Sequence, residues 1–62
     1  MNPDEILIKE IVKMLENDSS RLKDLIDEIM KAKDNPRLLD KKKLGEAYFA
    51  LQKIQMELYK LV

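Results

Sequence analysis

Between Leu44 and Leu61 the chain places its charges, Glu46, Lys53, Glu57 and Lys60, on one narrow strip. At about 100° per residue these positions share a single arc of a helical wheel. The remaining arc, about 240°, is uncharged. A helix packed against one core needs an apolar stripe of only about 100° or somewhat more. This segment therefore has to be covered on more than one side, or it presents a surface to a partner. Leu44, Ala47, Leu51, Ile54 and Leu58 point one way and make the predicted core face. Gly45, Phe49, Gln52, Met56 and Tyr59 point to an adjacent face, with Tyr48 between the two. Phe, Tyr and Met are enriched at the centres of interfaces. Tyrosine adds apolar area with a polar tip, and methionine adapts to irregular surfaces.

The rest of the chain reads as two further helices. Asn2-Pro3-Asp4-Glu5 is a strong start, with Asn2 as the cap and Pro3 at the first helical position. Leu7, Ile8, Ile11, Met14 and Leu15 follow at helical spacing, up to about Asn17. Asp18-Ser19-Ser20 is the next punctuation, since each of these residues can cap a new helix. Leu22, Leu25, Ile26, Ile29 and Met30 then form one apolar stripe. Pro36 disfavours helical geometry at Asn35. The stretch from Asp34 to Leu39 is predicted to be a loop or short turn, with Leu38 or Leu39 plugging the bundle end and Asp40 capping the last helix. Short connections imply antiparallel neighbours. The expectation is an all-α, up-down-up antiparallel three-helix bundle. It is one domain over residues 1–62, with helices at about 3–17, 19–33 and 40–61.

Composition narrows the function. Twelve basic and 12 acidic residues leave a formal charge of zero. That gives no electrostatic drive towards nucleic acid or an acidic membrane. Cysteine and histidine are absent, which removes thiolate metal sites, disulfides and the commonest general base. Paired carboxylates such as Asp24 with Asp27 and Glu28 sit beside Lys23 and Lys31. They read as solvated charge rather than as an acid–base site, which would need a dry pocket. The expectation is no enzyme, no catalytic or metal-binding residue and no cofactor. No apolar run approaches the ~20 residues of a membrane span, and Met1 to Glu5 lacks the basic and apolar regions of a signal peptide. A soluble, cytoplasmic protein is expected.

Two local motifs need weighing. Lys41-Lys42-Lys43 reads as a solubilising first turn, because no aromatic residue interleaves it. Leu44-Gly45-Glu46-Ala47-Tyr48 resembles the second half of the pro-apoptotic helix that docks on Bcl-type survival proteins, but Lys41 stands where that motif has its main leucine. Gly45 costs about 1 kcal/mol in a helix interior relative to alanine. It either allows close approach of a neighbouring helix or partner, or is tolerated in frayed first turns.

With three capped helices in about sixty residues, no cysteine or histidine, and a surface of Lys, Glu and Asp, the chain resembles the computationally designed three-helix miniproteins used as binder scaffolds. The resemblance implies an engineered protein-binding module. Its contact stripe would be Gly45, Tyr48, Phe49, Gln52, Met56 and Tyr59, facing a protein surface or groove as a monomer or weak homodimer. The alternatives are a model helical fold without a partner, and a natural small homodimer whose stripe closes two bundles into a larger one.

Overall fold

A computed structural model describes residues 2–62. Two helices make up the fold, rather than the three expected. Helix α1 runs over Pro3–Ala32, a single 3-10 turn over Pro36–Leu38, and helix α2 over Lys41–Tyr59. The helices pack antiparallel, as a hairpin: Asp18 meets Lys53, while Glu28 meets the backbone of Asp40. At 1.5 Å per residue α1 is about 45 Å long, close to the molecule's longest extent of 49 Å.

The helix starts follow local chemistry. Asn2 Oδ1 accepts the Asp4 N–H at 2.9 Å, ahead of Pro3. Asn35 Oδ1 accepts the Arg37 N–H at 3.2 Å and opens the short turn at Pro36. Asp40 Oδ1 accepts the N–H groups of Lys42 and Lys43 at 3.1 and 3.2 Å, and so caps α2. Leu39 is half-buried at the closed end, whereas Leu38 is exposed.

The expected break at Asp18-Ser19-Ser20 does not occur, and the three-helix bundle is corrected to a hairpin. These residue types can cap a helix, but nothing there forbids one: no glycine or proline lies between Asn17 and Leu22. An Asp or Ser in a helix interior costs only about 0.5–0.7 kcal/mol. Asp18 also gains ionic partners by staying helical. Its carboxylate accepts from Arg21 Nη1 at 3.0 Å and lies 3.4 Å from Lys53 Nζ on α2. Ser19 Oγ donates back to the Glu16 carbonyl at 3.4 Å, an in-helix bond.

The inner seam of α1 is continuous across the expected break. Leu7, Ile11, Met14, Asp18, Leu22, Leu25, Glu28 and Ala32 recur at steps of three or four, and all are buried or half-buried. On α2 the matching seam is Leu44, Ala47, Ala50, Ile54 and Glu57. The core is thin. Its buried apolar members are Ile11, Ala47, Ala50 and Ile54. Leu51 and Leu58, expected in the core, are exposed, and Ala50 takes the central position instead. A single neighbouring helix covers a narrower arc than two would.

Candidate functional site

Each helix carries a second apolar seam one residue after the first. On α1 it is Ile8, Val12, Leu15, Ser19, Ile26 and Ile29, with Leu22 on the border. On α2 it is Tyr48, Leu51, Gln55, Leu58 and Val62, with Leu44 on the border. Antiparallel helices seen from one end wind in opposite senses. The residue after each inner position therefore lies on the same side of the hairpin in both helices. The two outer seams merge into one face about 32 Å long. Ile8, Val12, Leu15, Ile26, Tyr48, Leu51 and Leu58 on that face are all exposed, Ile26 by 64%. Ser19 and Gln55 are the polar positions near the middle of it, about three residues apart in level by the Asp18–Lys53 pairing.

The opposite side of the hairpin is different. There a groove of about 520 Å³ runs between the helices, lined by Arg21, Lys42, Gly45, Glu46, Phe49, Ala50 and Lys53. Asp18, only 4% exposed, sits beneath its rim and holds both Arg21 and Lys53. The Lys53 ammonium lies 5.3 Å from the centre of the Phe49 ring, within cation–π range.

The second buried carboxylate, Glu28, lies at the closed end. The sequence reading made it solvated charge, yet it is as buried as Asp18. It accepts from Lys31 Nζ at 2.8 and 2.9 Å through its two oxygens and from the Asp40 N–H at 2.8 Å. Those two hydrogen bonds, the lysine's first, hold its pKa below the ordinary carboxylate value, against a smaller opposing effect of burial. The carboxylate thus ties the last turns of α1 to the capping residue of α2.

The six contact residues expected from the sequence divide among three places. Tyr48 lies on the merged apolar face, where its hydroxyl accepts from Gln52 Nε2 at 3.0 Å. Gly45 and Phe49 line the opposite groove. Met56 and Tyr59 flank a shallow cleft of about 410 Å³ near the end of α2, with Gln55 and Lys60. Gly45 makes no close approach to the other helix: a Cβ built there meets nothing within 4 Å. The sequence reading placed the α1 half of the merged face inside a bundle core. The signal for it was present in the doubled three-four spacing, legible only when α1 is read through Asp18-Ser19-Ser20.

No helix of the described residues is long and apolar enough to cross a membrane. No solved structure matches the chain. The family model for Sulfolobus spindle-shape virus 1, protein D-63, matches residues 3–62. That match corrects the designed-miniprotein resemblance: capped, cysteine-free helices with a salt-rich surface are here the work of a natural viral lineage. Matched over nearly its whole length, the chain belongs to the family of Sulfolobus spindle-shape virus 1, protein D-63.

Proposed function

We infer that this chain is a non-enzymatic helical module that works as a homodimer, two hairpins closed face to face on the merged apolar seams. The observation that carries this reading is the continuity of that face across both helices. Two hairpins related by a two-fold axis would form a four-helix bundle, with the outer seams in its core. Surface area favours the same reading. A compact monomer of this mass would expose about 4,200 Å², and the hairpin exposes 5180 Å². The excess, about 1,000 Å², is close to the ~800 Å² that each partner contributes to a standard interface.

The polar pair in the middle of the face favours one register. A second copy reversed end for end brings its own Ser19 and Gln55 opposite those of the first, and apolar residues then meet apolar residues on both sides. A register that moved these polar positions away from one another would bury Gln55 against leucine or tyrosine, at the cost of an unpaired amide.

The non-enzymatic part rests on the two buried carboxylates. Both are held by cations, and the pKa of Glu28 is lowered, opposite to the shift a general acid needs.

Ile26→Glu and Leu51→Glu each place a charge on the apolar face, twice per dimer. Each should weaken self-association more than 100-fold by sedimentation, because burying an unpaired carboxylate costs several kcal/mol. Phe49→Glu, on the opposite side, should leave it within about threefold, well under 1 kcal/mol. Retention of the dimer by both face variants would contradict the reading.

A further inference from the structure

The groove opposite the proposed dimer face has features that the hairpin itself does not use. Arg21, Lys42 and Lys53 line it against Glu46, and with Asp18 beneath the rim the groove keeps an excess of one positive charge. Buried Asp18 anchors Arg21 and Lys53, so two cationic heads are held at the rim before anything binds. Arg21 gives Asp18 one hydrogen bond through Nη1, and a guanidinium has five N–H donors. Lys42 makes no ion pair among the described residues. Phe49 forms an apolar wall, 63% exposed.

Gly45 is the second, independent observation. It is helical, has no positive φ, and has no neighbour that a side chain would strike. Neither backbone nor internal packing accounts for a residue that costs about 1 kcal/mol relative to alanine. It lines the groove beside Phe49, and a side chain added there would project into the groove's open space.

The geometry points to a docking site for an acidic segment of a partner protein. A large apolar side chain of that segment lies over Gly45 against Phe49, and flanking carboxylates meet Arg21 and Lys42. Charge complementarity selects this occupant. A nucleic-acid backbone is a poorer fit, because its closely spaced phosphates would meet Glu46 inside the groove and the chain as a whole is neutral. The site uses only the hairpin, so it goes beyond the dimer reading and does not depend on it. In a dimer closed on the opposite face, two copies of the groove would point outward.

The probe is a synthetic twelve-residue amphipathic peptide with leucine anchors flanked by glutamates. It is titrated into the full chain while backbone amide resonances are followed. Saturable shifts centred on Gly45, Phe49 and Ala50 are expected. The same peptide with lysines for glutamates should bind at least tenfold more weakly. Gly45→Leu should abolish the shifts while leaving helicity equal or higher, since its side chain has room. Lys42→Glu should weaken binding at least threefold. No shifts at millimolar peptide would overturn the proposal, and so would equal binding of the lysine peptide. Shifts at these residues with a twelve-nucleotide single strand and not with the acidic peptide would overturn it in favour of nucleic acid. Sedimentation of the same samples reads the dimer separately, so failure of one proposal leaves the other standing.

Discussion

Asp18 is the residue on which this fold turns. It occupies an inner-seam position where the neighbouring turns place Met14 and Leu22, yet it is a carboxylate with 4% exposure. Burying a carboxylate is costly, and a well-packed apolar replacement at such a site is often neutral or stabilising. The partners Arg21 and Lys53 keep about half of their side-chain surface in water, 51% and 43% exposed. They return to solvent readily when the acid is removed. Asp18→Leu should therefore unfold at equal or higher urea, gaining as much as ~2 kcal/mol. What Asp18 supplies is register. A slip of one turn along α2 exchanges the Lys53 contact for the neighbourhood of Glu57, a like charge, in one direction and of uncharged Phe49 in the other. The leucine variant should show more than one set of amide resonances where the natural chain shows one. A loss of more than about 2 kcal/mol, with one set retained, would make the ion pair a source of stability rather than of specificity.

At the level of elements, the ends of the helices are written locally and the middle of α1 is not. The caps at Asn2 and Asp40 and the turn at Asn35-Pro36 arise within a few residues, from short polar side chains beside free N–H groups. They are legible without a structure. Asp18-Ser19-Ser20 has the same chemistry and the opposite outcome, because nothing there breaks a helix and the inner seam facing α2 runs straight through Asp18. The core face of α2 was legible at Ala47 and Ile54. Its displacement towards Ala50 was not, since it depends on how many helices cover α2. The contact stripe was legible as an excess of uncharged surface, but its division among the merged face, the opposite groove and the cleft at the end of α2 required the partner helix.

Glu28 is a link between elements that pH can break. Its pKa is lowered in the folded chain. Its contribution to stability is therefore complete above the ordinary value of 4.5 and is lost as pH falls through the lowered one. Glu28→Gln keeps an oxygen for the Asp40 N–H but loses the Lys31 ion pair. The variant should be less stable than the natural chain at pH 7, and the gap in urea midpoint should close as pH falls below 4.5. A gap constant from pH 7 to pH 3 would show that the carboxylate's charge does not matter.

The whole molecule is open for its length. Its radius of gyration is 14.2 Å, against about 10.6 Å for a compact domain of this length. Its largest buried apolar side chains are two isoleucines, and both keep a few per cent of their surface exposed. At about 25 cal/mol per Å², covering the merged face would add more apolar burial than any rearrangement within the hairpin. In the proposed dimer, folding and self-association are one process, with stability that rises with chain concentration.

Sedimentation of the unmodified chain from about 1 μM to 1 mM, a range that brackets weak and tight association, tests this most directly. Two hairpins closed on the merged face predict a species of twice the 7.3 kDa chain mass, persisting at low micromolar concentration. A folded, helical monomer at every concentration would contradict the account, because the apolar face would then stand in water without a second copy to cover it.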